Sequence, residues 1–372
     1  MSQNSSKDDK GSRADRNTPA WIGAGAVIVA AVIGGVFLLL AGRGAGSASP
    51  TETPSTPKVS ASPAVPSPST GAVSNLIALP SPGVDTVAYS SDGKYLAAGN
   101  SNGAVRVWRT HSGQLANSMT DQASKGVTSV AFNVGNTLLA AADANGHVYL
   151  WAGGSLMQSL ADPSGSSVRS VAFSSDGKFL AMGDAHGSIY VWQLTDGRYS
   201  LAGPAMADPD SEGVTSVAFN PDNTLLAAGD ANGHIYLWVH SPVPTRLTDP
   251  SGSAIRSLAF IPGTEFVVAG DANGKVYEWT ASSNGINVST SGITTLMTDP
   301  NSKGIDSVVV KPAGRVIAAA DANGHIYLGV HSITQVLSDP VSNGVLAVAF
   351  SPGGKYLAAG DANGHIYLWP IP

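Results

Sequence analysis

Short runs in which apolar and polar residues alternate recur along residues 73–372, which is the pattern of half-buried β-strands. The run GVTSVAF at 213–219 is one of them, and it ends in a turn, NPDN. A small apolar run, LLAAGD, follows, and after it come Asn-Gly and HIYLW. Asn-Gly between two strands is a strong hairpin signal, because both residues tolerate a positive φ. With a weaker strand after the Trp, each unit predicts four strands.

This unit is repeated seven times. The stretch DANGHIYLW occurs at 230–238 and at 361–369, and related stretches begin at 100, 143, 184, 271 and 321. Successive copies lie 43, 41, 46, 41, 50 and 40 residues apart. A period near 40–45 residues with four strands per unit is the signature of a propeller blade. We therefore predict an all-β fold, a seven-bladed β-propeller over residues 73–372.

The two ends of the repeat region indicate how the ring closes. The sequence stops at LWPIP, directly after the third strand of the last unit, so the last blade lacks an outer strand. The apolar segment AVSNLIAL at 72–79 belongs to no unit. We expect this N-terminal strand to complete the last blade, because closure leaves no open sheet edge.

Units such as SSDGKYLAAGNSNGAVRVW (90–108) and NPDNTLLAAGDANGHIYLW (220–238) resemble WD-repeat sequences, and the resemblance covers residues 84–372. It implies a WD40-like propeller, a rigid disc whose loop faces and central opening bind proteins or peptides. Other residues replace the family's Gly-His pair and turn Asp here. The hydrogen-bond tetrad that His and Asp usually form in this family with a Ser or Thr and the Trp is therefore absent in its usual composition. The Trp near the end of each unit is Gly329 in the sixth, and elsewhere we expect it to be structural. The Trp residues are Trp108, Trp151, Trp192, Trp238, Trp279 and Trp369.

Residues 21–42 are uncharged and mostly apolar. A helix over this run would be roughly 31 Å long, enough to cross the hydrocarbon core of a bilayer. A cleavable signal peptide is the alternative, although its apolar core is normally shorter. Four basic residues precede the run, at 7, 10, 13 and 16, and only Arg43 and Lys58 follow it before the repeats. The positive-inside rule then predicts a single-pass protein of the cell membrane, with a cytoplasmic N-terminus and the propeller outside.

The segments that flank this helix predict disorder. Residues 1–20 are polar and mixed in charge, and we expect a short disordered cytoplasmic tail. Residues 43–72 contain seventeen Ser, Thr or Pro among thirty, which is typical of an extended, disordered linker. Within the helix, Ala26, Ala30 and Gly34 form a row of small residues that would permit weak homodimerisation in the membrane.

Two series of Asp residues recur in the units, one opening each Asn-Gly hairpin and one in the loop before each first strand. We expect mainly structural roles for both, with one or both replacing the missing tetrad. The alternative is an acidic loop face that binds a cation or a basic partner. The sequence D-x-N-G resembles the start of a calcium loop but lacks the EF-hand spacing and its terminal Glu, so no metal site is predicted. The hairpin series is Asp143, Asp184, Asp230, Asp271, Asp321 and Asp361, and the loop series is Asp121, Asp162, Asp208, Asp249, Asp299 and Asp339.

The residue after each Asn-Gly turn, by contrast, varies. It is His in four units and Ala104, Ser188 or Lys275 in the others. A loop position that varies within a fixed frame is where binding specificity is placed. The predicted partner-binding face is Asp143, His147, Asp184, Asp230, His234, Asp271, Lys275, Asp321, His325, Asp361 and His365.

Composition narrows the function classes. The chain has no Cys, which excludes thiol chemistry, and its net charge of −6 argues against a nucleic-acid binder. No nucleophile elbow, zinc-protease motif or phosphate loop is present, so we predict no catalytic residue and no cofactor. We expect a non-catalytic scaffold or sensor that binds a protein or peptide. A propeller enzyme, a cation-binding envelope protein and a purely structural envelope component are the alternatives.

Overall fold

A computed structural model describes residues 74–78, 83–120, 123–207, 211–239, 244–283, 288–298, 301–338 and 343–372. Every regular element among them is a β-strand. The predicted tail (1–20), transmembrane helix (21–42) and linker (43–72) lie outside these ranges. Within them, no helix has the length and apolar character needed to span a membrane.

The strands of the first half begin with β1 (Ser74–Ala78), which joins the last blade. Blade 1 contains β2 (Thr86–Tyr89), β3 (Tyr95–Gly99), β4 (Ala104–Arg109) and β5 (Leu115–Thr120). Blade 2 contains β6 (Val127–Phe132), β7 (Leu139–Asp143), β8 (His147–Ala152) and β9 (Ser155–Ala161). Blade 3 contains β10 (Val168–Phe173), β11 (Phe179–Asp184), β12 (Ser188–Thr195), β13 (Arg198–Leu201) and β14 (Met206–Ala207).

The second half repeats the same order. Blade 4 contains β15 (Val214–Phe219), β16 (Leu226–Asp230), β17 (His234–Trp238) and β18 (Thr245–Thr248). Blade 5 contains β19 (Ile255–Phe260), β20 (Phe266–Asp271), β21 (Lys275–Ser283) and β22 (Val288–Thr298). Blade 6 contains β23 (Ile305–Val310), β24 (Ile317–Asp321), β25 (His325–Gly329) and β26 (Ile333–Ser338), and blade 7 contains β27 (Val345–Phe350), β28 (Tyr356–Asp361) and β29 (His365–Pro370).

Seven antiparallel sheets confirm the predicted seven-bladed propeller. The innermost strand of each blade contacts the innermost strands of both neighbours, so these strands surround the axis. In the last blade β1 pairs with β29, with Ser74 opposite Leu368 and Ala78 opposite His365. The N-terminal strand therefore closes the ring, as the sequence predicts.

Blade 3 departs from the predicted four strands. Its outer position is divided between β13, which pairs with β12 from Trp192 to Thr195, and β14, which pairs with Ser188 and Ile189. The interruption, AGPA at 202–205, contains a Gly and a Pro. Pro cannot donate a ladder hydrogen bond and Gly weakens a strand, so the outer strand breaks there.

A chain of side-chain hydrogen bonds joins the inner strands across six of the seven seams. A hydroxyl on one inner strand accepts from a backbone N–H of the next blade at 2.9–3.3 Å. At the seam between blades 7 and 1 the equivalent residue is Ala347, which has no hydroxyl. The six pairs are Thr86–Val130, Ser129–Val171, Ser170–Val217, Ser216–Leu258, Ser257–Val308 and Ser307–Val348.

The apolar core lies between blades. One cluster joins Ala181, Ile189 and Val191 of blade 3 to Val217 and Leu226 of blade 4, and similar clusters lie at other seams. Each blade therefore completes its core only against its neighbour, which is the reason that the repeats need the closed ring.

Candidate functional site

The hairpins that join the second and third strands lie on the same side of the disc as the loops that precede each inner strand, because antiparallel strands alternate in direction. We call this side the hairpin face. The turns between first and second strands and between third and fourth strands lie on the opposite face. The predicted partner-binding residues all belong to the hairpin face.

The six Asp residues of the hairpin series lie beneath the hairpin face. Each of them is no more than 1 % exposed. In blade 4, Asp230 Oδ1 accepts from the backbone N–H groups of Asn232 (3.0 Å) and His234 (2.7 Å). The same two-bond pattern recurs below Asp184, Asp271, Asp321 and Asp361. These carboxylates therefore fix the hairpin from inside.

The other carboxylate oxygen reaches either the preceding loop or the next strand. Asp184 Oδ2 accepts from Ser164 Oγ at 3.1 Å, and Asp271 Oδ2 accepts from Ser251 Oγ at the same distance. In blade 4 the corresponding oxygen accepts from the Tyr236 hydroxyl at 3.2 Å. Burial is the largest cause of a raised pKa at Asp271, and these donors oppose it.

Asp162 and Asp249 are the members of the loop series that the structure describes, and both are buried. Asp162 accepts from the Ser164 and Ser166 N–H groups at 3.0 and 2.8 Å, and Asp249 repeats this in its own loop. Each also donates its backbone N–H to the Gly of the preceding hairpin, Gly146 or Gly233. Each loop thus contacts the hairpins of two blades. Asp121, Asp208, Asp299 and Asp339 lie outside the described residues.

The residue after the Asn-Gly turn is the part of the predicted site that solvent reaches. His234, His325 and His365 have side chains that are 20, 35 and 30 % exposed. His147 and Lys275 are also partly exposed. We call these five residues the rim. The structure thus places the predicted site residues in two layers, a buried Asp layer and an exposed rim.

Aromatic side chains support the rim from below. His147 stacks on Tyr149 with ring centroids 5.8 Å apart, and Tyr149 in turn lies 6.5 Å from Trp151. Aromatic ladders also start at His234 and His365, where each imidazole is tilted against the Tyr ring at 58° and 51° instead of stacked on it. The histidine rings are consequently held in fixed orientations.

In the part of the chain that the structure describes, four of the six Trp residues take no part in a hydrogen-bonded tetrad through their indole nitrogen. The indole Nε1 atoms of Trp151, Trp192, Trp238 and Trp369 are buried without a hydrogen-bond partner among the described residues. The adjacent strand, LAAGD in blade 4, offers no hydroxyl. The conformation of Gly329 explains the missing Trp in the sixth unit, because a Cβ there would overlap the Ser332 carbonyl oxygen.

One set of residues was not anticipated from the sequence. It lies near the hairpin end of the inner strands, where their register with the second strand of the same blade shifts. It includes an ion pair between Arg256 of blade 5 and Asp306 of blade 6, with Nη1 and Oδ1 2.5 Å apart. At this position Asp85 accepts from the Ser101 backbone N–H, and burial raises its pKa to about 6. The sequence carried a signal, since the residue type at this position changes from unit to unit, whereas the residue before it is always Val or Ile and the residue after it is Ser or Thr in six of the seven units. The set is Asp85, Thr128, Arg169, Thr215, Arg256, Asp306 and Leu346.

Among the described residues no three His, Asp or Glu side chains are grouped so that they could hold a metal ion. The buried Asp layer instead directs its oxygens at N–H and O–H donors of the protein itself. What the rim offers to a ligand is imidazole and ammonium groups, and one exposed carboxylate, Glu212, lies in the loop before the inner strand of blade 4.

Comparison with known proteins agrees with this architecture. The sequence model of the WD40 family, described as WD domain, G-beta repeat, matches residues 76–109, 113–152, 154–193, 206–239, 242–280 and 332–370. The matched residues omit 281–331, which contain the first three strands of the sixth blade and Gly329 at its Trp position, although all four strands of this blade are formed. A search of curated proteins gave no match. WD40 propellers are usually non-catalytic and typically serve as scaffolds for protein interactions. The chain belongs to the WD40 repeat family.

Proposed function

We propose that this protein is a membrane-tethered, extracytoplasmic scaffold or sensor that binds a protein partner through its hairpin face and catalyses no reaction. The observation that carries the proposal is the division of the hairpin face into two layers. The buried Asp layer is constant in blades 2–7, whereas the exposed rim position above it varies. A rigid frame with variable exposed side chains is suited to recognition.

The chemistry of the rim favours an acidic or hydrogen-bonding partner surface. Lys275 is cationic, and the four rim imidazoles either donate or accept hydrogen bonds and gain charge when protonated. The aromatic ladders restrict the motion of the imidazoles, so less conformational entropy is lost on binding.

Capture of a partner tests this function. The full-length chain, used as bait on an envelope extract with crosslinking, should retain a protein that is lost when His147, His234, His325 and His365 are all changed to Ala. The matched control is His111→Ala with His331→Ala, because these exposed residues lie in turns of the opposite face. Equal capture by both variants would rule out the rim as the binding surface.

The tether is supported by the uncharged run at 21–42 and by the basic residues that precede it. The chain has no Cys, so a single introduced thiol reports its own location. In whole cells, a membrane-impermeant maleimide should label His111→Cys, in the propeller, and leave Ser5→Cys, in the N-terminal tail, unlabelled. Labelling of Ser5→Cys alone would reverse the orientation, and equal labelling only after lysis would refute an exported propeller.

A further inference from the structure

A cavity of about 140 Å³ opens between blades 1 and 2. Val107, Asn117 and Met119 of blade 1 form one wall, and Phe132 and Trp151 of blade 2 form much of the other. An apolar cavity of roughly this volume accommodates a benzene ring. The space is therefore large enough for one aromatic side chain.

At the next seam, between blades 2 and 3, the equivalent space is filled by Tyr199. This residue is 2 % exposed, and its ring lies 6.0 Å from that of Phe173. Its hydroxyl donates to the Gly177 carbonyl oxygen at 2.7 Å. Leu150, Leu160 and Trp192 belong to the same apolar cluster.

Strand register makes the two spaces equivalent. Leu150 and Val107 each precede the Trp of their blade by one residue, and they pair with Gln158 and Asn117 respectively. The remaining walls correspond in the same way, from one seam to the next. The matched residues are Leu160 with Met119, Phe173 with Phe132, Trp192 with Trp151 and Gly177 with Asn136.

The cavity exists because one hairpin is short. In blade 3 the third and fourth strands run on to a turn at Asp196–Gly197, and Tyr199 pairs with Leu194 in this extension. In blade 2 the corresponding strands already turn at Gly153–Gly154, two residues earlier on each strand. No residue of blade 2 therefore takes the place of Tyr199.

The polar wall of the cavity is also left without its usual partner. Gln158 binds both backbone polar groups of Tyr199: its Nε2 donates to the carbonyl oxygen at 2.6 Å, and its Oε1 accepts from the N–H at 3.0 Å. Asn117 presents the same amide at the equivalent point, beside Gly154. Within the described ranges its side chain makes no hydrogen bond. A donor and an acceptor are thus available for the backbone C=O and N–H of one residue.

Exposed apolar residues lie close in sequence to the cavity walls. Leu115, Val134 and Leu156 are 50, 51 and 51 % exposed. Leu156 pairs across the strands with Trp151, and Val134 lies between Phe132 and Asn136. They offer apolar surface to residues that flank an inserted side chain.

We propose that this cavity binds a tyrosine side chain from an extended segment of a partner protein. The ring occupies the space between blades 1 and 2, the hydroxyl donates to the Asn136 carbonyl oxygen, and the backbone N–H and C=O of the same tyrosine pair with Asn117. The inference rests on the proposed interaction function and adds a second binding surface, next to the opposite face.

A peptide that copies residues 197–201, Gly-Arg-Tyr-Ser-Leu with blocked ends, is the probe. Its binding to the full-length chain is measured by fluorescence anisotropy. We expect saturable binding that weakens by about tenfold or more when the peptide Tyr is replaced by Ala. Replacement by Phe removes one hydrogen bond and should weaken binding severalfold. Equal binding of the Ala peptide would overturn the proposal.

Two substitutions test whether the peptide binds in the cavity, and a third is their control. Asn117→Leu removes the free amide and should weaken binding about tenfold with little change in melting temperature. Gln158→Leu is the matched control, because it breaks the internal bonds to Tyr199: it should lower the melting temperature and leave peptide affinity unchanged. Val107→Phe fills the cavity and should block binding without unfolding the protein. Unchanged affinity in both Asn117→Leu and Val107→Phe would overturn the assignment.

The probe separates this inference from the proposed function. If the rim variant still captures its partner, the binding role of the hairpin face is refuted and the cavity proposal stands, because peptide binding does not depend on the rim. Peptide binding that fails while the rim variant loses its partner would count against the cavity alone.

Discussion

At the scale of single residues, the hairpin Asp accepts from the same two backbone N–H groups in blades 3–7, whereas in blade 2 Asp143 accepts from the Asn145 N–H and from the Lys125 N–H of the preceding loop. Blade 1 shows which part of the side chain is needed. Asn100 stands there in place of Asp, and its Oδ1 accepts from the N–H groups of Asn102 (3.2 Å) and Ala104 (3.0 Å). One oxygen is therefore enough to hold the hairpin. The second oxygen of Asp adds the bonds to Ser or Tyr described above.

This difference predicts a graded response at Asp230. Asp230→Ala leaves two backbone N–H groups without acceptors and should lower the free energy of unfolding by about 2–3 kcal/mol. Asp230→Asn keeps those two bonds and should cost less than half as much. Urea denaturation measures both, with Asn100→Asp as the converse variant. Equal unfolding midpoints for Asp230→Ala and the parent chain would show that the Asp layer does not hold the hairpins.

The pKa of Asp85 predicts a pH dependence. Burial raises this pKa from 3.8 to about 6, so the folded state favours the protonated form. Stability should therefore decrease as the pH rises from about 4 to about 6, and then stay level. Asp85→Asn should stabilise the fold by about 1–2 kcal/mol at pH 7, after allowance for solvent screening, and have little effect at pH 4. Melting temperatures at both pH values test this, and a gain confined to pH 4 would contradict it.

At the scale of strands, the hydroxyls of the inner strands form hydrogen bonds to the next blade, and the repeated sequence alone does not reveal these bonds. The Ser or Thr in GVTSV looks like an ordinary strand residue, and only the curvature of the ring brings it to a backbone N–H of the next blade. The position of each strand could be predicted from alternation and Asn-Gly turns. The partner of each hydroxyl could not be predicted, because it lies 41–51 residues away along the chain and on a different sheet.

Removing one of these hydroxyls should be measurable. Ser257→Ala deletes the 2.9 Å bond from the Val308 N–H and should cost about 1 kcal/mol in the free energy of unfolding. Ser159→Ala, on an exposed outer strand, is the control and should cost less than about 0.5 kcal/mol. Similar costs for the two changes would mean that the inner-strand hydroxyls contribute nothing specific.

At the seam between blades 7 and 1, adding a hydroxyl should have the opposite effect. Ala347→Ser supplies the missing hydroxyl opposite Val87 and should raise the free energy of unfolding by up to about 1 kcal/mol. Urea denaturation again provides the measurement. A decrease would show that the Val87 N–H is not placed to donate to this position.

At the scale of the whole molecule, the ring is closed by five residues from the other end of the repeat region. Deletion of 74–78 removes β1, leaves the edge of β29 unpaired, and should lower the urea midpoint and cause concentration-dependent association. Light scattering after size-exclusion chromatography measures the association. Deletion of 60–64 in the predicted linker is the control of equal length. If both deletions behave like the parent chain, β1 does not close the ring.

Much of this architecture could be predicted because repetition multiplies weak local signals. The blade number and the hairpins follow from the recurrence of DANGHIYLW, and the closing strand follows from the apolar segment at 72–79 and the missing outer strand of the last unit. The depth of the Asp layer did not follow, since a polar residue beside a turn looks exposed until the loop before the inner strand covers it. The cavity was also invisible, because it arises from a hairpin that is two residues shorter on each strand than its neighbour in blade 3.

The central claim is that the constant Asp layer builds the disc and the exposed rim binds the partner. Histidine footprinting with diethyl pyrocarbonate, with and without the captured partner, tests it most directly in the full-length chain. We expect the partner to protect His147, His234, His325 and His365, and to leave His111 and His331 on the opposite face fully reactive. Protection of His111 and His331 with an unprotected rim would contradict the account.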